Sequence, residues 1–256
     1  ADGSPRPLPA PWTDLKSPPL DGASADGVEH DTFNLPTAWI AGSNVRLAAT
    51  PSASAAGMEG EGGPTDVEIR VVPPAGTAIV GADAFSHGVV VTVETSASPV
   101  PAVGLYDLSL AWRFEARRPE GDWMPIPGAV TTDHSLYGVV GQPALGATAM
   151  PYRAWVEVVD AVAGWVDGTS ADPVAVGSRI TEGIFDTAGL SYDVESGACT
   201  YTDYTWGNWS NGVFDIVGYQ RRDKGDVVNC SDCAGILSTY ANMVGVDFTY
   251  HILSPG

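Results

Sequence analysis

The chain has 256 residues, 44% of them hydrophobic and only 17% charged, with 31 acids against 12 bases and a formal net charge of −19. That length and apolar content bury a core in one or two domains and exclude general disorder. The acid excess excludes phosphate backbones and anionic membrane surfaces as partners, and no apolar run reaches the roughly 18 residues of a membrane span.

Gly 30 and Pro 20 make up about a fifth of the chain, so turn-rich β-structure is expected over long helices. The two lysines, Lys16 and Lys224, and the abundance of Ser, Thr, Gly and Pro suit a secreted or cell-surface bacterial protein. Ala1-Asp2-Gly3 opens on no basic region and no apolar stretch, so no signal peptide is read here and a processed start is expected.

Residues 1–37 carry seven prolines and little periodicity, which predicts an extended leader. Strands are predicted at Ala38-Trp39-Ile40 and from Asn44 to Ala48, followed by a low-complexity loop over 50–65. Val67 to Val71 alternates apolar and charged residues, and Gly88 to Thr95 is a Val/Thr run. From Tyr106 to Phe114 every second residue is large and apolar, the clearest strand in the chain. Pro119-Glu120-Gly121-Asp122 is turn chemistry, and Trp123 to Ile126 returns. Strands at this spacing predict an immunoglobulin-like β-sandwich over 38–135. Ser135 to Gly141 and Ala154 to Val159 are read as two more strands, at the start of an α+β part spanning 136–256.

The pattern then turns helical. Asp172 is an N-cap residue with Pro173 after it, Val176, Ile180 and Ile184 recur at helical spacing, and Gly189 closes the segment. Tyr192 to Thr205 reads as a hairpin or ordered loop, and Phe214 to Tyr219 as a short helix. Cys230 to Val244 is predicted to be a helix with an apolar stripe at Ala234, Leu237, Ala241 and Val244, flanked by Ile236 and Tyr240. Gly245 stops it, and Val246 to Leu253 alternates as a strand. This places Cys230 in the first turn of a buried helix, where unpaired N–H groups and the helix dipole favour a thiolate, the nucleophilic form of cysteine.

In this stretch the sequence resembles the transglutaminase-like (papain-related) superfamily. Its motif is a Cys opening a helix, a small or aromatic residue and Ala three and four positions on, and a Gly closing the helix; Cys230, Cys233, Ala234 and Gly245 stand at those positions. The resemblance spans about 165–256. It implies a partial transglutaminase-like α+β domain with Cys230 as catalytic nucleophile. The implied activity is acyl transfer, deamidation or peptide hydrolysis through a Cys230 thioester on a protein or peptide substrate, with no cofactor and no metal. The superfamily carries its His on the next strand and its Asp or Asn on the one after. The chain ends 26 residues past Cys230, and His251 falls on the first strand, too early for that position. The expectation is therefore a core truncated before its His and acid.

Other readings of the same residues stand beside this one. A non-catalytic secreted surface, adhesive or assembly protein would keep the fold without the triad. Cys199, Cys230, Cys233 and His251 are the right number and type of ligands for zinc, and Cys230-x-x-Cys233 opening a helix is also a redox arrangement. Cys233 and His251 read more simply as core and strand residues, and Asp232 as a carboxylate that complements the helix dipole. Three cysteines leave at least one free; a free Cys230 and a Cys199–Cys233 disulfide are expected. Trp206 and Trp209 suit a groove or a loop anchor, and Asn208 and Asn229 each begin a glycosylation acceptor pattern.

Overall fold

A computed structural model describes residues 37–49, 68–80, 91–117, 120–128, 130–142, 156–204 and 212–249. The expected leader, the 50–65 loop, Trp206, Asn208, Trp209 and His251 lie outside them. The fold is α+β. Its elements are β1 (Thr37–Ile40), β2 (Arg46–Ala49), β3 (Glu68–Val72), β4 (Thr77–Ile79), β5 (Val91–Thr95), β6 (Gly104–Arg117), β7 (Met124–Pro125), β8 (Val130–Val139), α1 (Val156–Val166), α2 (Pro173–Asp186), β9 (Ser191–Tyr192), β10 (Thr202–Tyr204), β11 (Gly212–Phe214), α3 (Ile216–Arg221), β12 (Val227–Val228) and α4 (Cys230–Met243). Among the described residues no helix is long and apolar enough to cross a membrane.

The chain divides into two compact units. The first holds described residues of Gly42–Pro99 and Asp107–Ser135; the second holds those of Val100–Tyr106 and Leu136–Gly256, together with β1.

In the first unit β2, β5 and β4 form one antiparallel sheet, and β8, β6 and β3 follow one another in another, with β7 also on β6. The alternation in β6 is the predicted one: Leu110 and Trp112 are buried while Ser109, Ala111 and Arg113 are exposed. Leu110 and Trp112 join Val71 of β3 and Val91 and Val93 of β5 in a single apolar cluster, so the two sheets share one core. Opposite charges sit directly across the strands, Arg46 on Glu94 and Arg70 on Glu115, both at 2.5 Å. Arg70 and Arg117 also flank the Trp123 ring, at 4.4 and 4.6 Å from its centroid.

The second unit carries the helices. β1 pairs in parallel with the Leu136–Val139 end of β8, and its core gathers residues of β1, β8, α1, α2, α3 and α4. Residues 156–159, expected as a strand, are the first turn of α1. Val158, Val159, Val162, Ala163 and Val166 are all buried, a helical i, i+1, i+4, i+5, i+8 set. β-branched residues favour a strand only weakly, and burial of that stripe overrides the preference. α2 starts as predicted: Asp172 caps it by accepting from the Val174 N–H at 3.2 Å, Pro173 occupies its first turn, and Val176, Ile180 and Ile184 are buried. α2 ends at Asp186, before Gly189.

α4 packs on α1 and α2. Its buried apolar side chains are Ile236, Tyr240, Ala241 and Met243; of the expected stripe Ala241 and Val244 are buried, whereas Ala234 and Leu237 are half-buried. Tyr240 stacks on Trp165 of α1 with centroids 5.5 Å apart, which draws the buried face around toward that residue. Gly245 stops the helix at φ +79, and a Cβ there would lie 2.3 Å from the Gly141 backbone, so glycine is required for conformation and for space. The expected strand after it is not formed over 246–249. Instead the Asn242 side chain accepts from the Phe248 N–H at 2.7 Å and donates to its carbonyl at 3.0 Å, taking the place of a strand partner.

Candidate functional site

The start of α4 is set by Asn229. Its backbone is extended, and its Oδ1 accepts from the N–H groups of Ser231 and Asp232, each at 3.0 Å. Asp232 reaches back to the Asn229 N–H at 3.2 Å, closing a capping box. Cys230 is therefore the first helical residue, and its thiol is exposed on a helix whose later turns are buried.

Asp232 does more than complement the dipole. It is wholly buried, and its two oxygens accept from the N–H groups of Thr200 (2.8 Å), Tyr201 (2.9 Å) and Thr202 (2.7 Å) as well as Asn229. Four backbone donors fill the acceptor positions of the carboxylate and leave it none for chemistry. Asp232 thus ties the beginning of β10 to the beginning of α4.

A second strand contact brings in Tyr192. β12, which leads into Cys230, pairs in parallel with β9, with Val228 opposite Tyr192 and the Asp193 N–H donating to the Val228 carbonyl at 2.8 Å. The Cys230 side chain beside it is the largest cause that raises the Tyr192 phenol above its usual range. Three of the first-turn donors are thus engaged: Ser231 and Asp232 by Asn229 Oδ1, and Cys233 by the Asn229 carbonyl at 2.9 Å. The sequence predicted unpaired N–H groups facing the thiol. The cap takes those of Ser231, Asp232 and Cys233, and the sulfur keeps the helix field, with the Tyr192 phenol as its neighbour.

The three cysteines occupy three environments, and all are free, so the expected Cys199–Cys233 disulfide is not formed. Cys233 is half-buried against the core, which with the neighbouring Asp232 and Cys230 pushes its thiol pKa up. Cys199 is exposed, and its sulfur accepts from Asn229 Nδ2 at 3.2 Å. Among the described residues no group of three or more His, Cys, Asp or Glu is arranged to hold a metal ion. Asn229 is buried and committed to the cap, which takes the 229–231 acceptor pattern out of reach of a glycan. An open groove of about 820 Å³ lies in this unit along β10 and the start of α3, lined by Cys199, Tyr201, Asp203, Phe214, Asp215 and Lys224 among others; Cys230 is not in its wall.

Sequence reasoning placed Cys230 in the first turn of its helix, where it stands, and missed Tyr192 and the latch made by Asp232. Asn229-x-x-Asp232 is itself a capping-box spacing, so half of that latch was signalled locally; nothing in the sequence pairs Tyr192 with Cys230. No family model matches the chain, and no curated protein matches it either.

Proposed function

We propose that this chain presents a cysteine acyl-transfer site of the transglutaminase-like kind, carried by Cys230 and directed at protein or peptide substrates. The immunoglobulin-like sandwich expected ahead of it would be its carrier. The supporting observation is the exposed thiol on the first residue of an otherwise buried helix, held in place by the capping box and Asp232. In the reaction the Cys230 sulfur attacks an amide carbonyl, the nitrogen leaves as ammonia or amine, and water or an acceptor amine resolves the thioester. The Cys230 N–H is the first-turn donor a substrate oxygen can claim, because Asn229 takes those of Ser231, Asp232 and Cys233. The base that takes the thiol proton is unassigned among the described residues near Cys230. His134 belongs to the first unit.

One observation favours a second reading, a non-catalytic surface or assembly protein that keeps the fold: the Ser231, Asp232 and Cys233 N–H groups expected to serve the sulfur are already paired. The two separate in a labelling experiment. Folded protein is treated with limiting iodoacetamide at pH 6.5 and alkylation is read by peptide mass, alongside uptake of a fluorescent amine into a glutamine-containing peptide. The catalytic reading expects Cys230 to label at least tenfold faster than Cys199, and amine transfer that Cys230→Ala abolishes. A Cys230 that labels no faster than Cys199, with no transfer, leaves the second reading standing.

A further inference from the structure

Cys199 and Cys230 lie 31 positions apart in sequence, yet both are placed by Asn229. Its Nδ2 donates to the Gly197 carbonyl at 2.8 Å and to the Cys199 sulfur at 3.2 Å, while its Oδ1 caps the helix that Cys230 opens. One position past Cys199, the Thr200 N–H is fixed by Asp232. The Cys199 sulfur thus lies against Asn229, the residue that precedes Cys230 in the chain. Both thiols are exposed, and residues 194–198 between Asp193 and Cys199 are exposed too, so a small shift of Cys199 disturbs no packing. Cys233 is the poorer partner: its sulfur is half-buried among core residues.

We propose that Cys199 and Cys230 form a single oxidation site, closing to a disulfide under hydrogen peroxide and reopening with a thiol reductant. As regulation of the Cys230 site the proposal rests on the catalytic reading above; as chemistry it stands alone. Peroxide oxidises the Cys230 sulfur to a sulfenic acid and releases one water. The Cys199 sulfur then attacks that sulfur, the S–S bond forms and a second water leaves. Two thiols have given up two electrons and two protons, and one peroxide has become two waters. Closure needs the two Cα atoms within about 4.4–6.8 Å. It gives up the Asn229–Cys199 contact while Asn229 Oδ1 keeps the helix cap. A dithiol reductant reverses the step by exchange and itself becomes the disulfide.

The test is peroxide treatment of the full chain, alkylation of remaining thiols, digestion without reduction, and mass analysis. The expected product is a linked peptide joining Cys199 to Cys230, with iodoacetamide uptake at Cys230 falling at least tenfold and returning after dithiothreitol. Cys233→Ala should give the same linked peptide, and Cys199→Ser should lose it. A Cys230–Cys233 link, a link between two chains, or Cys230 advancing to sulfinic acid while Cys199 stays alkylatable overturns the proposal. Bond formation is read without substrate. A protein that forms the bond but transfers no amine therefore supports the oxidation site and overturns the catalytic reading.

Discussion

Asp232 is the residue on which the geometry around Cys230 turns. A carboxylate with no exposed surface that accepts four backbone N–H groups leaves all four donors stranded if it is removed. Hydrogen bonds to a charged group contribute about 1.5–3 kcal/mol each and do not add simply, so Asp232→Ala is expected to cost at least about 3–5 kcal/mol in a urea unfolding curve. Asp232→Asn should recover little, because the amide turns an NH₂ toward backbone donors. Thr202, in β10 beside this latch, is the opposite case. Its Oγ1 is buried with no hydrogen-bond partner among the described residues, so that hydroxyl was stripped of water without compensation. Thr202→Val keeps the shape and removes the uncompensated group, and it should leave stability unchanged or raise it by up to about 1 kcal/mol, seen as a higher urea midpoint at constant slope.

At the scale of elements, the packing of α1 on α2 passes through one small residue. Gly183 of α2 is buried, and a Cβ built there would lie 2.3 Å from the Trp165 ring and 2.9 Å from its Cβ. Trp165 is also the ring on which Tyr240 of α4 stacks, so a shift of the ring disturbs that contact as well. Gly183→Ala gains helix propensity worth about 1 kcal/mol and loses more through the clash. The expected outcome is a net loss of about 1–3 kcal/mol, with a changed near-ultraviolet circular dichroism signal reporting Trp165 movement. An unchanged midpoint and spectrum would show that the two helices separate more easily than this contact implies.

For the molecule as a whole, the second unit is the one that pH should unfold from the alkaline side. Tyr137, Tyr219 and Tyr240 are all buried. Burial is the largest cause that raises each phenol, joined at Tyr137 by its hydrogen bond to Asp160 and at Tyr240 by the neighbouring Tyr219. A pKa raised in the folded state contributes stability that is fully present below the unfolded value of about 10 and lost as pH rises beyond it, because the unfolded chain ionises first. Each such phenol costs about 1.4 kcal/mol per pH unit in that window. Urea unfolding at pH 9, 10 and 11 should therefore show stability level to pH 10 and then falling more steeply than one phenol allows; a flat profile to pH 11 would contradict the burial of these three rings.

Local signals in the sequence determined much of this protein. Asp172 before Pro173 set the start of α2, Asn229 set the start of α4 and Gly245 its end, and strict alternation from Tyr106 to Phe114 set β6, because caps, positive φ and period-2 burial act within a few residues. The same signals put a cysteine on the first residue of α4. The tertiary structure decided what surrounds it. The run at 156–159 became helix because its apolar stripe continues to Val166, and the buried face of α4 keeps Ala241 and Val244 of the predicted stripe but centres on the flanking Ile236 and Tyr240, where Tyr240 stacks on Trp165. Tyr192, Cys199 and Thr200–Thr202 reach the Cys230 turn across gaps of some 30 to 40 residues. Such contacts leave no periodicity in the chain, since a backbone donor carries no residue identity and a buried carboxylate names its partners only once the strands that hold them have paired.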